Sequence, residues 1–278
     1  MECTVCSSQM RNLSDTKLYW LSRCPKCGFL TADLTPGVGA EIGGIETLRR
    51  RNFSAIIDLI STYQNVNTIS ALEVGCSRGW FLDEARDRGL KCVAVEPDTS
   101  AATETQKRGH TVYNGLFPAV LSEQPNKFDL IIFNDVFEHL PDIRSAKASI
   151  SDFLNPQGLL VLNLPDSNGV LYKAAEAFSY LGWYEPLERL WQKDLVSPHL
   201  SYFNRQNIGL FFTEDSHFSL LYADRLESMK VTGLWTRLRS GGQSVPISAF
   251  LYIPLVVTAL LAHFLPSDIQ LLVFKKIV

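Results

Sequence analysis

Four cysteines and a few polar residues at the ends of apolar runs carry the chemistry open to this chain. Cys3-x-x-Cys6 and Cys24-Pro25-Lys26-Cys27 form two pairs about seventeen residues apart. Each pair can turn two thiolates toward one ion, and a doubled pair makes a tetrahedral zinc site of the ribbon or knuckle type. Four sulfurs fill such a site, so the metal is structural. A segment this short has little core, and metal binding supplies its folding energy. A second set of residues lies farther on. Gly75, Glu96, Asn114 and Asn134 each close an apolar stretch, where a ligand can be held against backbone or carboxylate. Two histidines, His199 first and His139 second, can take a proton from a reacting group near neutral pH. His110, His217 and His263 read as structural or exposed.

The elements that position these residues alternate. Ile69, Leu72 and Val74 suit a strand covered on both faces. Gly75 and Gly79 then bracket a tight turn, and Trp80, Phe81, Leu82 and Ala85 begin a helix whose first backbone N–H groups are free for a ligand. The reading continues with strand 91–95, helix 100–108, a short strand 111–113, strand 128–133, helix 142–154, a turn at Asn155-Pro156-Gln157-Gly158 and strand 159–164. Helix 205–213 and strands 218–226 and 269–274 complete the set. Repeated β-α units predict a doubly wound α/β fold with a parallel sheet, and such sheets bind ligands at the carboxyl ends of their strands. Gly75, Glu96, Asn114 and Asn134 all fall there.

Before this region, Thr35-Pro36-Gly37-Val38-Gly39 and Gly43-Gly44 mark a linker. A helix from Ile45 follows, with Arg49-Arg50-Arg51 read as a solvated face. The expected divisions are a zinc-binding module at 1–35, linker and helix at 36–66, and the α/β domain at 67–278. Residues 165–203 are rich in aromatics and predict a cap over the strand ends.

Val245–Pro266 contains no Asp, Glu, Lys or Arg. Its length would allow a membrane-spanning helix. Three prolines interrupt it, however, and strand 269–274 must return to the sheet that holds strand 218–226. The apolar insertion at 227–267 therefore predicts an interfacial helix or hairpin against a membrane, with Trp235, Arg237 and Arg239 at the headgroup boundary. Buried core or a dimer interface is the alternative.

A formal charge of −3 gives no support to a general nucleic-acid binder. The stretch Met1-Glu2-Cys3-Thr4 lacks the charged and apolar regions of a signal peptide, which predicts a cytoplasmic protein, peripheral at the inner face of the membrane. Thiols there stay reduced or bind metal.

The stretch Glu73-Val74-Gly75-Cys76-Ser77-Arg78-Gly79 resembles motif I of class I S-adenosylmethionine-dependent methyltransferases. Glu96-Pro97-Asp98 is similar to their acidic segment after the second strand, and Phe128 through Asp142 is similar to their strand-four signature. Together these cover about residues 45–278. The zinc segment with Pro198-His199-Leu200-Ser201-Tyr202-Phe203 resembles a branch found among sugar C-methyltransferases and enzymes of polysaccharide biosynthesis. Pro198 stands where that branch commonly has Glu, and Ser77 where the family usually has Gly.

The resemblance implies a Rossmann-like methyltransferase sheet and S-adenosyl-L-methionine as cofactor. It surrounds that cofactor with Glu73, Gly75, Cys76, Gly79, Glu96, Asn114 and Asn134. It implies methyl transfer to a sugar, nucleotide-sugar or lipid-linked glycan, and the transfer itself calls for no metal. Leu116 and Phe117 could flank the adenine.

Four other readings compete. An RNA methyltransferase and a non-catalytic cofactor-binding scaffold both remain open. A hydrolase elbow with Ser77 as nucleophile would need several strands before the turn. A nicotinamide site would need GxGxxG, which Gly75-x-x-x-Gly79 does not supply.

Overall fold

The computed structural model describes residues 1–13, 17–38, 44–122, 127–240, 244–261 and 264–277. Gly39 and Gly43 of the expected linker, His263 and the side chain of Arg237 lie outside the described residues.

In chain order the elements begin with three short strands, β1 (Arg11–Asn12), β2 (Leu21–Arg23) and β3 (Leu30–Ala32). The α/β region opens with α1 (Glu46–Ser61), β4 (Ser70–Val74), α2 (Trp80–Asp87), β5 (Lys91–Glu96), α3 (Thr99–Lys107) and β6 (Val112–Asn114). It continues through β7 (Phe128–Asn134), α4 (Ile143–Phe153) and β8 (Leu154–Pro165). Two helices, α5 (Val170–Tyr180) and α6 (Glu185–Leu190), occupy the expected cap and lead to β9 (Ser201–Tyr202). The chain closes with α7 (Arg205–Thr213), β10 (Phe218–Arg225), α8 (Leu234–Ser240), α9 (Val245–Leu261) and β11 (Ile269–Lys276).

A seven-stranded sheet runs in the order β10-β11-β8-β7-β4-β5-β6. Strands β8, β7, β4, β5 and β6 are mutually parallel, and β11 lies antiparallel between β8 and β10. The side chains explain the layering. Alternate residues of each central strand go to opposite faces. Leu72, Ile131, Phe133, Leu160, Leu162, Leu272 and Phe274 pack on one side against Ile143 and Ile150 of α4 and Phe211 and Phe212 of α7. Ala71, Leu130, Ile132, Val161 and Val273 pack on the other against Phe53, Ile56 and Ile60 of α1 and Phe81 of α2. Each of these large side chains stabilises the fold by roughly 1.5–3 kcal/mol on burial. With both faces covered the strands read as continuous apolar runs, which is why they were visible in the sequence.

The expected turn at 155–158 is instead absorbed into the start of β8, although Gln157 keeps a kink there with φ of +65°. The arginine run also departs from a solvated face. Arg49 pairs with Asp135 at 3.1 Å, Arg50 with Asp83 and Glu84, and Arg51 with Glu227.

The N-terminal strands join a second sheet of order β1-β2-β3-β9. Leu30 pairs with Tyr202 and Thr31 with Ser201. Cys3, Val5, Cys24 and Phe29 are buried in the same core cluster as Phe137 and Phe203. The cysteine segment, the cap and the strand-end turn after β7 thus share one packed region. Among the described residues, no helix is long and apolar enough to cross a membrane.

Candidate functional site

The carboxyl ends of β4, β5 and β7 bring the motif residues together. After Val74 the chain turns through Gly75, Ser77 and Gly79, with φ of +76°, +44° and +66°. A side chain at 75 is doubly disfavoured, since its Cβ would lie 2.5 Å from Val136 beyond the end of β7. At 79 the corresponding space is taken by Arg108 and Thr105. The two glycines therefore let protein pack on the turn, whereas the sequence suggested room for a ligand there. Cys76 is buried, and burial pushes its thiol pKa up.

Glu96, at the end of β5, is buried and held rigidly. Its Oε2 accepts from the Ser77 N–H at 2.7 Å and its Oε1 from the Asp98 N–H at 2.9 Å. A carboxylate oxygen can accept more than one hydrogen bond, which is the chemistry a diol requires. Asp98 itself caps α3 by accepting from the Ala101 N–H at 2.7 Å.

Glu73 is buried in β4, where Asn134 Nδ2 donates to its Oε1 at 3.0 Å. Its Oε2 has no hydrogen-bond partner among the described residues. Desolvation pushes its pKa to about 8, the Asn134 amide opposes this, and the charge of Glu96 adds to it. Asn163 on β8 donates to Asn134 Oδ1 at 3.5 Å, extending a polar chain across three strands. Two buried acids with an open oxygen at the strand ends form an electronegative corner suited to a cation. S-adenosylmethionine, with a sulfonium and an ammonium against one carboxylate, is such a cation and also carries a ribose diol for Glu96. The residues present fit the group.

Asn114 sits at the end of β6 but is exposed and already engaged. Its Nδ2 donates to the Glu96 and Pro97 carbonyls, and its Oδ1 accepts from Thr99 Oγ1. It ties β6 to β5. Leu116 is exposed, whereas Phe117 packs edge-on against Phe133. Trp80 is half-buried under Arg50 and Arg78.

The two histidines meet. His139 lies in the turn after β7 and His199 in the segment leading to β9, and their ring centroids are 4.7 Å apart. The Leu200 N–H donates to the Glu138 carbonyl at 2.9 Å, which fixes the two segments together. Glu138 stands between the rings, 3.9 Å from His199 Nε2 and 4.0 Å from His139 Nε2. It is 1% exposed, and among the described residues neither carboxylate oxygen has a hydrogen-bond partner. Burial drives its pKa well above the carboxylate range, with Asp135 adding to this and Arg49 opposing it. Burial also lowers the pKa of both histidines, His199 the more strongly because His139 lies beside it. Both imidazoles are thus held neutral. Gln192 Nε2 donates to His199 Nε2 at 2.9 Å. Glu138, Asn163 and Gln192 were not singled out from the sequence. The signal for Glu138 was an acid inside the apolar run Val136-Phe137-Glu138-His139-Leu140.

His110 is structural, 2.8 Å from Asp83, and His217 is exposed. The four N-terminal cysteines converge, with all sulfurs within 4.8 Å of one another. Cys3 lies 3.6 Å from Cys27 and Cys6 lies 3.5 Å from Cys24. A tetrahedral zinc–thiolate site has sulfurs about 3.8 Å apart, so the set fits that ion. An open groove of about 770 Å³ lined by Ser70, Lys91, Tyr113 and Phe128 lies at the opposite, amino-end edge of the sheet, away from these groups.

Comparison with known proteins agrees with this geometry. A family model described as Methyltransferase domain matches residues 46–220. A ubiquinone biosynthesis O-methyltransferase of Bradyrhizobium sp. (strain ORS 278) is 25% identical over 162 residues, 55% of this chain. The match spans about 64% of the length of that relative. The cyclopropane synthase MmaA2 from Mycobacterium tuberculosis superposes with a TM-score of 0.56 at 16% identity, covering 80% of this chain and 83% of that one. Coclaurine N-methyltransferase bound to N-methylheliamine and SAH gives 0.53 at 14% identity, covering 81% and 72%. The two superpositions speak to the fold alone. The family match covers residues 46–220, more than half of the chain, and takes in the acid-lined strand ends, and the chain therefore belongs to the Methyltransferase domain family.

Proposed function

We infer that this methyltransferase acts on a sugar or lipid-linked glycan presented near a membrane face. The observation that carries the reading is α9. Its side chains are apolar around nearly the whole circumference, yet of its described residues only Ser248 is buried. Phe250 is 76% and Ile253 70% exposed. An apolar surface of this kind on a folded enzyme suits contact with lipid. The sugar branch draws support from β3 and β9. They join the two segments that carry the resemblance, the cysteine module and Pro198–Phe203, in one sheet. Cys3, Cys6, Cys24 and Cys27 would hold a structural zinc, and the divisions 1–35, 36–66 and 67–278 follow from that module.

When bound, S-adenosylmethionine supplies an electrophilic methyl on a sulfonium. The chain's own residues bind and orient. Glu73, steadied by Asn134, faces the cationic end, and the Glu96 carboxylate accepts from the ribose hydroxyls. The turn 75–79, including Cys76, shapes the wall between them. His199 or His139 takes the proton from an acceptor hydroxyl, and the aromatic cap, α5 and α6, excludes water. Holding donor and acceptor in line is the largest contribution such an enzyme makes.

A second reading has one observation in its favour. The Bradyrhizobium relative is named for ubiquinone biosynthesis, so a phenolic oxygen on a lipid-tailed ring is also a candidate acceptor. The test is transfer of labelled methyl from S-adenosylmethionine into a membrane extract. Label in acid-released sugar supports the glycan reading, and label in a quinone-type lipid supports the second. Label in RNA alone, or labelling equal in Glu96→Ala and wild type, overturns both.

A further inference from the structure

Glu138, His139 and His199 gather three ligand atoms around one point, with the Gln192 amide also seated on His199 Nε2. The Pro198 carbonyl lies 2.9 Å from His139 Nδ1, so Nδ1 carries the proton and Nε2 carries the lone pair. At His199 the Gln192 amide N–H points at Nε2, which makes that nitrogen an acceptor too. Both Nε2 atoms then face Glu138 Oε1, at 4.0 and 3.9 Å. All three ligand atoms lie within 4.8 Å of one another. A buried carboxyl group with neither oxygen hydrogen-bonded among the described residues is costly, whether charged or neutral. A cation at the centre of the three atoms removes that cost. Bonds of about 2.0–2.2 Å to these atoms require them to close by only a few tenths of an ångström.

We propose that Glu138, His139 and His199 form a second metal site, distinct from the four cysteines, that takes a first-row transition dication. Two imidazoles and one carboxylate suit zinc, iron or cobalt, whereas magnesium and calcium prefer all-oxygen shells. The Pro198 carbonyl fixes the His139 tautomer from outside, as metal-bound histidines require. Loading the site turns the Gln192 amide away from Nε2. Three protein ligands leave a position open. Resting on the methyltransferase reading above, that position takes a hydroxyl oxygen of the acceptor and lowers its pKa. The site thus favours O-methylation. With the site loaded, the Nε2 lone pairs of the two histidines are taken up by the metal, which then replaces them in activating the hydroxyl.

The experiment is cobalt titration of the full-length protein after removal of bound metal with dipicolinate. Cobalt at the cysteines gives an intense thiolate charge-transfer band. Cobalt at Glu138, His139 and His199 adds an equivalent with weak visible bands and no thiolate band. We expect this second equivalent in the wild type. In Glu138→Gln its affinity falls by more than about 100-fold, while the thiolate band, which reports a folded module, is unchanged. His199→Gln behaves the same way. A wild type that takes up cobalt only with the thiolate band overturns the site, whatever the variants do. So does a second equivalent that persists in Glu138→Gln. Calorimetry with S-adenosylmethionine on the same samples reads the cofactor site separately, so failure of one assignment is distinguishable from failure of the other.

Discussion

At the scale of single residues, Glu73 is the group most out of balance. Its carboxyl is buried, it forms no ion pair among the described residues, and its pKa is displaced from 4.5 to about 8. The folded protein therefore holds a proton that the unfolded chain releases. Below the unfolded value the group costs nothing. Between about pH 4.5 and 8 its ionisation opposes folding increasingly, and above that the penalty is constant. The protein without cofactor should thus lose stability as pH rises through this window. Glu73→Gln should flatten the loss, and thermal melts at about pH 5 and pH 8 check it. Identical slopes in wild type and variant would remove Glu73 as the cause. A cationic cofactor favours the ionised form, so its binding should release protons below pH 8 and tighten as pH rises toward it.

Strand-end residues were legible because a parallel sheet covered on both faces writes unbroken apolar runs, and the polar residue that ends each run is conspicuous. Glu138 was less so. Nothing in the order of residues says that an acid in a turn has no partner, or that His199, sixty positions later, will lie beside it. Asn114 shows the converse, since it stands where expected but spends its hydrogen bonds on holding β6 to β5.

Among the elements, α9 carries the clearest conflict with water. Phe250 and Val257 lie one above the other on an exposed face, seven residues apart. Phe250→Glu with Val257→Glu should leave folding stability within about 0.5 kcal/mol, since neither side chain is buried. The same pair should sharply reduce flotation of the protein with phosphatidylglycerol vesicles. Equal flotation would sink the membrane contact. The tail was recognisable by its lack of charge, and its return to the sheet was inferred correctly from the need to place the last strand. The pairing of β3 with β9 was out of reach, because strands of two or three residues carry no periodicity.

For the whole molecule, that small pairing matters most. Cys3 and Cys24 share a core cluster with Phe137 and Phe203, which flank the Glu138–His199 pair in sequence. A metal held by the four cysteines, as proposed above, would therefore also support the cap. Removing zinc by chelation should speed amide exchange at 199–204 and 137–140 by at least about tenfold, a change of about 1.4 kcal/mol in opening free energy. Faster exchange confined to residues 1–32 would show the module to be independent of the rest. The four cysteines themselves were plain from spacing alone, but their attachment to the catalytic half was not.

The position of β11 has a consequence for the order in which the chain can fold. Among the described residues β10 pairs with no strand but β11, and β11 also covers the flank of β8. During synthesis β8 and β10 emerge first, then α8 and the uncharged α9, and only afterwards residues 269–276. Until β11 docks, β8 keeps an open edge and β10 has no place in the sheet, so the α/β core closes only after α9 has been made. Any surface that holds α9 must therefore leave residues 269–276 free to pair with β8 and β10.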